Sequence, residues 1–313
     1  MPVVTLGEAL GLVVLEPGAL EHVHRAEVRI GGAEANVAIG LSRLGVPAHW
    51  IGRVGADGLG RRIARELRAE GVATTLIVDP DAGTGLMLKE RPGPGRTVVQ
   101  YYRSASAGSR LAPGDLPPGL VEGASLLHVT GITPALGAAP GAAVRTAIER
   151  ARSAGVPVSF DVNHRSTLWR DAADAGRWYR EIAERSDIVF AGLDEAAILL
   201  DRTPRDAEDA AAAIAGFGTA EAILKLGDKG ALAMAEGRTV RQPAVPVEVA
   251  DTVGAGDAFV AGYLAERLLG ADLEHRMRTA AAAGAFACTS VGDWEALPSR
   301  AQLGAWSTDP VQR

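Results

Sequence analysis

The feature that most constrains the fold is a regular alternation of apolar, strand-like runs with segments of helical spacing. Chains in which strands alternate with helices form a parallel sheet that is covered by helices on both faces. The sequence therefore predicts an α/β domain. The predicted strands are 3–7, 49–55, 126–131, 156–163, 186–192 and 222–227, and the predicted helices are 36–44, 58–70, 142–155, 173–185, 194–201, 209–217, 256–269 and 273–290.

Two other segments, 11–30 and 84–103, do not fit this alternation. In both, short apolar and polar runs alternate as they do in antiparallel strands with one exposed face. We expect them to pair into a small antiparallel β-sheet that forms a lid. Since no long linker divides the chain, the predicted main domain comprises 1–10, 31–83 and 104–313, and the lid comprises 11–30 and 84–103.

The composition excludes several classes of protein. A net charge of −6 argues against nucleic acid as a partner, because binding to a phosphate backbone requires a basic face. The single cysteine, Cys288, lies in an alanine-rich helical run and is predicted to be a core residue in a reducing compartment. The first residues lack the features of a signal peptide, and no apolar stretch reaches the roughly 18 residues of a membrane span. We therefore expect a cytoplasmic protein without a membrane partner.

The strongest local signal is the segment DTVGAGDAF at 251–259, in which a helix begins at the last glycine. The free backbone amides of residues 254–257 would point out of the helix N-terminus, where an anion is favoured. A carboxylate at Asp257 would repel a phosphate there, but it is well placed to act as a base toward an incoming hydroxyl. The spacing alone leaves a second interpretation open, in which Asp257 is a helix-capping acid.

A second signal is the segment GGAEAN at 31–36, which opens a helix and suits a hydroxylated ligand. A glycine-rich helix cap is the alternative interpretation. Phe259 stands where a Rossmann fingerprint needs its third glycine, and the chain contains no GxxxxGK[ST] phosphate loop. Both observations argue against the common dinucleotide-binding and Walker-type nucleotide-binding motifs.

Together these two segments resemble the paired signatures of the ribokinase-like (PfkB) carbohydrate kinases, which are GG-x-x-x-N and D-T-x-G-A-G-D-A-F. The resemblance covers essentially the whole chain. It implies a three-layer α/β/α domain with a mainly parallel sheet and a β-sheet lid. It also implies an ATP-dependent kinase in which Asp257 is the base and the amides of Gly254, Ala255 and Gly256 stabilise the transferred phosphoryl group.

Within the family, five stretches resemble the kinases of 2-keto-3-deoxygluconate: GGAEANVA, YYRSASAGS, HVTGITPAL, DVNHRSTLW and VGDWEALP. The expected reaction is transfer of phosphate from ATP to the 6-hydroxyl of this sugar acid, whose carboxylate suits arginine partners. Met87 departs from the pattern, because related kinases can carry a tyrosine there that faces the sugar. The residues implied in substrate binding are Gly32, Glu34, Asn36, Tyr101, Arg103, Ile132, Arg165 and Asp293.

For the nucleotide, the resemblance points to the strand-to-turn segment KLGDKG at 225–230. The segment GLDEA at 192–196 corresponds to the family's N-x-x-E element, which organises magnesium. Glu195 matches the glutamate, but Gly192 replaces the asparagine. We therefore expect Mg²⁺ to be held through ATP phosphates and water, with Glu195 acting only via water. The residues implied in nucleotide binding are Asn163, Gly192, Lys225, Gly227, Gly230, Gly254 and Gly256.

Two kinds of alternative stay open. One is another kinase of the same fold, acting on fructose, on 5-dehydro-2-deoxygluconate or on a nucleoside. The other is a non-catalytic sugar-binding protein, because a fold does not guarantee an activity. A small sheet with exposed edges also favours a homodimer, or a higher homo-oligomer, assembled through the lid.

Overall fold

The fold, seen in a computed structural model that describes residues 1–93 and 96–306, is built on two separate sheets. Over these residues the larger sheet has nine strands in the order β13-β12-β11-β10-β9-β8-β1-β4-β5. All neighbours from β5 to β11 are parallel, and β12 and β13 add an antiparallel hairpin at one edge. The strands are β1 (Val3–Leu6), β4 (Ala48–Gly55), β5 (Ala73–Asp79), β8 (Leu126–Thr130), β9 (Val158–Asp161), β10 (Ile188–Gly192), β11 (Glu221–Lys225), β12 (Ala231–Ala235) and β13 (Arg238–Gln242).

The smaller sheet is the lid. Its order is β3-β2-β6-β7, formed by β2 (Leu10–Leu15), β3 (Ala26–Gly31), β6 (Leu86–Gly93) and β7 (Arg96–Tyr102). Both hairpins are antiparallel, as the sequence predicted, but the central pair of β2 and β6 is parallel. This pair joins two segments that are distant in the chain, and no hairpin turn dictates its direction. Of the predicted domain segments, residues 94–95 and 307–313 lie outside the described part of the chain.

Helices cover both faces of the larger sheet, which gives three layers. The helices are α1 (Ala33–Arg43), α2 (Gly58–Ala69), α3 (Ile132–Ala135), α4 (Ala138–Ser153), α5 (Ala172–Ala183), α6 (Leu193–Leu200), α7 (Ala207–Ala215), α8 (Ala255–Leu268), α9 (Leu273–Ala287) and α10 (Arg300–Trp306). One apolar core packs α1, α2, α8 and α9 against the sheet, and the other core packs α4 to α7 against the opposite face.

The local sequence explains individual elements. In α2 the buried residues Ile63 and Leu67 are four positions apart, on one face of an otherwise charged helix. Asp57 caps that helix by accepting the backbone N–H of Gly60 at 2.8 Å. By contrast, α1 is buried through most of its length because α8 covers its outer side.

The predicted fold class is confirmed, but further details were wrong. The edge strand β5 was not predicted, although it contains the apolar run 76–78; most of its side chains are half-exposed at the edge of the sheet. The short helix α10 was also missed; the sequence predicted α9 as the last helix. Cys288 is half-buried at the C-terminal end of α9 and does not belong to either core.

The carboxyl ends of parallel strands meet at one edge of a sheet, where loops create binding sites. The loops after β1, β9, β10 and β11 all open on this edge, and the lid strands start and end beside it. In the described part of the chain, the helices are too short or too polar to cross a membrane.

Candidate active site

A cleft of about 1000 Å³ lies at this edge, with walls from both sheets. The lid contributes residues of β6 and β7, and the main domain contributes the loops that follow β9, β10 and β11 and the start of α8. Among the residues predicted for the site, the cleft is lined by Tyr101, Asn163, Arg165, Gly192, Glu195, Lys225, Gly254, Gly256 and Asp257, together with Met87.

Asp257 lies in the first turn of α8 and is buried, at 7% exposure. Its two carboxylate oxygens accept hydrogen bonds from the side-chain amides of Asn36 at 2.8 Å and Asn163 at 3.1 Å. Burial raises the pKa of Asp257 above its ordinary value, against the opposing effects of Asn36 and Arg165. The carboxylate is therefore held in one orientation with an increased affinity for a proton.

The start of α8 has a backbone conformation that only glycine adopts easily. Gly254 is the N-cap, with φ of 79° in the left-handed region. A Cβ atom there would lie 1.9 Å from the carbonyl oxygen of Asp293, so the loop packs directly against a neighbouring backbone. The first N–H groups of a helix lack intrahelical partners, so the start of α8 presents backbone donors beside Asp257 in a geometry that suits an anion.

Glu34 lies beneath this site and is fully buried. One of its carboxyl oxygens accepts hydrogen bonds from Thr130 at 2.7 Å and from Thr133 at 2.6 Å. Burial raises the pKa of Glu34, and the nearby Asp257 raises it further, although the two threonines oppose the shift. The direct sugar contact predicted for Glu34 has no support in this arrangement, because the side chain has no exposed surface.

Lys225 ends β11 and forms an ion pair of 2.6 Å with Asp161, the last residue of β9. Burial disfavours the charged form of Lys225, but the carboxylates of Asp161 and Glu195 raise its pKa overall. For Asp161, burial raises the pKa to about 6 against the effect of Lys225. The ammonium group therefore stays charged on the cleft wall, as a nucleotide phosphate would require.

Glu195 follows β10 in the first turn of α6. Its carboxylate accepts the backbone N–H groups of Gly192 at 2.6 Å and His164 at 2.8 Å. Burial works to raise the pKa of Glu195, but Lys225 and these two hydrogen bonds lower it overall. The ionised carboxylate lines the cleft and is already held by protein N–H groups, which agrees with an indirect role beside magnesium.

The two predicted arginines occupy different environments. Arg165 follows β9 on the cleft rim, is exposed, and donates to the backbone oxygen of His164. Arg103 is largely buried and forms an ion pair with Glu8, with nitrogen–oxygen distances of 2.5 and 2.7 Å. Its guanidinium also stacks over the Tyr101 ring at 5.3 Å. Arg165 is thus available to a ligand, whereas the charge of Arg103 is already compensated.

Asp293 is buried between the lid and the start of α8. Its carboxyl group lies close to Gly31, and one of its oxygens has no hydrogen-bond partner among the described residues. Burial raises the pKa of Asp293 to about 7; Lys89 opposes this shift, and Asp257 adds to it. The side chain is thus a polar group beside Asp257 that lacks a full set of partners.

We expect Asp293→Asn to stabilise the fold at high pH. The folded pKa is above the unfolded value of 3.8, so ionisation of Asp293 reduces the free energy of unfolding as pH rises from about 4 to about 7. The variant should therefore be more stable at pH 8 by roughly 2–4 kcal/mol, with a much smaller difference at pH 4. Denaturant unfolding of both proteins across this range tests the expectation. A stability difference that does not change with pH would contradict it.

Four of the remaining predicted residues do not line the cleft. Ile132 begins α3 and is largely buried. Gly32 caps α1 with φ of 144°, and a Cβ there would lie 2.5 Å from the carbonyl oxygen of Glu8. Gly227 lies in an exposed turn after β11, with open space around it. Gly230 has a positive φ and packs directly against the backbone of Gln242.

Sequence reasoning missed four residues that shape the site. Asp161 lies in the predicted strand 156–163 but was not identified as a site residue. An aspartate near the carboxyl end of a parallel strand can indicate a binding site. Thr130 is the last residue of β8, and Thr133 follows that strand in α3. Lys89 had the weakest signal, since a lysine in a lid strand is usually exposed, yet it is buried here and pairs with Asp251.

Comparison with known proteins agrees with this geometry. The model of the pfkB family carbohydrate kinases matches residues 3–300. The 2-dehydro-3-deoxygluconokinase of Thermoproteus tenax is 38% identical over 301 residues, which cover 95% of this chain and 91% of that protein. The crystal structure of the 2-dehydro-3-deoxygluconokinase from Thermotoga maritima has a TM-score of 0.92 at 25% identity, covering 99% and 98% of the two chains. An E. coli protein described as a ribokinase II, solved with ATP and Mg²⁺, has a TM-score of 0.90 at 25% identity, covering 98% of each chain.

The family match and the kinase relatives identify the chain as a phosphotransferase, and the buried Asp257 carboxylate beside the start of α8 agrees with that class. The chain belongs to the pfkB family of carbohydrate kinases.

Proposed function

We propose that this kinase transfers phosphate from ATP to the 6-hydroxyl of 2-keto-3-deoxygluconate, which is also called 2-dehydro-3-deoxygluconate. The observation that carries the proposal is the placement of Asp257. Its buried carboxylate, held by two asparagines, adjoins the amides of the α8 N-terminus. A sugar hydroxyl at this carboxylate lies beside the position where those amides would hold the transferred phosphoryl group.

In the proposed mechanism, Asp257 accepts the proton of the attacking hydroxyl. Burial increases its affinity for that proton, and the hydrogen bonds from Asn36 and Asn163 fix its direction. The amides of Gly254 to Asp257 stabilise the charge that develops on the phosphoryl oxygens. Lys225, held by Asp161, adds a fixed positive charge on the nucleotide side of the cleft.

The described residues offer little that could bind a metal ion directly. Within the described ranges, His, Cys, Asp and Glu side chains form no group of three with the geometry of a metal site. The Glu195 carboxylate is bound to backbone N–H groups, and Asp161 is bound to Lys225. This donor set fits Mg²⁺ that arrives with ATP and keeps its waters, with Glu195 in contact through water. When bound, Mg²⁺ would neutralise phosphate charge.

Support for an acidic substrate comes from Arg165. It is exposed on the cleft wall. Burial raises the pKa of Asp257 and works to raise that of Glu195, and the positive charge of Arg165 opposes this effect at both carboxylates, so Arg165 faces the reacting region. A guanidinium can bind a carboxylate with two parallel hydrogen bonds. Arg103 supports the proposal less directly, because a substrate carboxylate must compete with Glu8 for it.

The nearest rival is a kinase of the same family that acts on a neutral sugar or on 5-dehydro-2-deoxygluconate. Met87 leaves these other substrates open, because its thioether stands where a tyrosine hydroxyl could contact the sugar in related kinases. A nucleoside kinase fits less well, because the lid lines the cleft with Met87, Lys89, Val99 and Tyr101 and offers a single aromatic ring for a base.

We expect Arg165→Ala to weaken the reaction with sugar acids selectively. Loss of a charged hydrogen-bonding partner should raise KM for 2-keto-3-deoxygluconate by about 10- to 100-fold and leave neutral sugars within about threefold. The measurement is the rate of ADP formation across a panel of acidic and neutral sugars. Arg170→Ala is the matched control, because Arg170 is exposed on the same loop and pairs only with Asp171 and Asp174 among the described residues. An equal loss on acidic and neutral sugars would contradict the role.

We also propose that the protein acts in the cytoplasm as a homodimer assembled through the lid. Support comes from exposed apolar or aromatic side chains on the lid strands, with Val28 at 43% exposure and Tyr102 at 57%. The molar mass by light scattering tests the dimer, and a monomer at working concentrations would refute it.

A further inference from the structure

Lys89 is a buried cation in a lid strand. The ammonium group pairs with the carboxylate of Asp251, and the side-chain exposures of the two residues are 1% and 8%. Strand alternation places Lys89 on the same face of β6 as Met87, toward the cleft. A lysine is almost never fully buried unless it is paired, so this contact accounts for its position.

Asp251 connects three segments of the chain. Besides the ammonium of Lys89, its carboxylate accepts the backbone N–H of Val253 at 3.2 Å and that of Gly292 at 3.4 Å. Val253 directly precedes Gly254, where the anion-binding helix start begins, and Gly292 directly precedes Asp293. One ion pair therefore ties the lid both to the loop that carries the phosphate-binding amides and to the loop that supports them.

The surroundings of this pair are strongly acidic. The electrostatic neighbours of Asp293 include the carboxylates of Asp257, Glu295 and Asp251, and Lys89 is the cation that most opposes their effect. Removal of one partner from a buried ion pair leaves the other charge uncompensated, which is strongly destabilising locally. Without the Lys89 ammonium, the Asp251 carboxylate would have to move toward water or bind another cation.

We propose that Lys89 is a positioning residue, whose ammonium supplies from the lid the cation that holds the start of α8 in its phosphate-binding conformation. The role rests on the kinase reaction proposed above. It couples the lid, which contacts the sugar, to the amides that receive the phosphoryl group.

The test removes the ammonium and then returns it from solution. In Lys89→Met the side chain stays unbranched and loses only the terminal ammonium position, which a small cation such as ammonium can fill beside the Asp251 carboxylate. At constant ionic strength with tetramethylammonium, which is too large for that position, we expect kcat to fall about tenfold or more. Ammonium chloride should restore much of the loss. Lys89→Arg should keep more activity than Lys89→Met.

Hydrogen exchange gives a readout that does not depend on the substrate. The backbone amides of 252–257 should exchange faster in Lys89→Met, and ammonium should slow them again. Arg25→Met, which makes the same kind of substitution at an exposed lid position, should change neither exchange nor kcat. If wild-type protein fails to phosphorylate any sugar, the proposed function fails, while the exchange result still decides the role of Lys89.

Two outcomes would overturn the proposal. One is a folded Lys89→Met with kcat within about twofold of wild type. The other is a loss of kcat without faster exchange at 252–257 and without a response to ammonium. If Lys89→Met does not fold, the double variant Lys89→Met/Asp251→Asn removes both charges and avoids the uncompensated carboxylate. It should fold with a low kcat that ammonium cannot restore, and restoration by ammonium in this variant would also overturn the proposal.

Discussion

Replacement of Asp257 by asparagine should reduce kcat by about 10²- to 10⁴-fold while both substrates still bind, because that is the usual contribution of a general base. Asparagine keeps the shape of the side chain, but its amide cannot accept the proton of the sugar hydroxyl. Calorimetric titration with sugar and ATP, alongside steady-state rates, separates binding from catalysis.

A matched control for this variant is Asp194→Asn. Asp194 is an exposed carboxylate on the same cleft, so its loss tests for a general effect of charge. Wild-type kcat/KM should also fall toward acid pH, with an apparent pKa above the ordinary carboxylate value of 3.8, since burial raises the pKa of Asp257. A small change in Asp257→Asn would favour the alternative of a non-catalytic sugar-binding protein, or a different base.

The second large effect is expected for Gly254→Ala. The added Cβ would lie 1.9 Å from the carbonyl oxygen of Asp293, so the start of α8 must move away from its supporting loop. A displacement of about 1 Å in a reacting group can cost about 100-fold in rate, and we expect a loss of that order in kcat. The left-handed backbone adds a cost of about 1–2 kcal/mol in stability.

Gly270→Ala is a stringent control, because Gly270 follows the other end of the same helix with φ of 81° and has open space around it. It should lose a similar amount of stability from backbone strain and no catalytic rate. Steady-state rates and thermal unfolding of both variants distinguish these effects. Equal rates for the two variants would contradict the role of the α8 start.

Much of the fold and of the site could be predicted because both follow from local patterns. The alternation of strands and helices determines the parallel sheet, and the ends of its strands bring Asn163, Gly192 and Lys225 to one edge. The glycines of the segment DTVGAGDAF are enough to predict that a helix starts there. These features depend on residues that are near each other in the chain, where spacing has a direct geometric meaning.

The rest depends on contacts between distant segments. Lys89 pairs with Asp251 across 162 positions, and Arg103 with Glu8 across 95. Lys89 lies in a lid strand and Arg103 directly follows one. The sequence pattern of these strands does not show which carboxylate each basic residue will pair with. The partner decides the role, because pairing with Glu8 makes Arg103 less available to a sugar. Such pairings depend on how the lid packs against the main domain. A local sequence pattern does not predict that packing.

The most direct test of the central claim uses wild-type protein with MgATP and a panel of 2-keto-3-deoxygluconate, 5-dehydro-2-deoxygluconate, fructose and a nucleoside. Coupled ADP formation gives kcat/KM for each, and phosphorus–carbon coupling in the NMR spectrum of the product locates the phosphate. The account predicts the highest kcat/KM for 2-keto-3-deoxygluconate, with phosphate on the 6-oxygen. Turnover of a neutral sugar while this sugar acid is left unphosphorylated would contradict it.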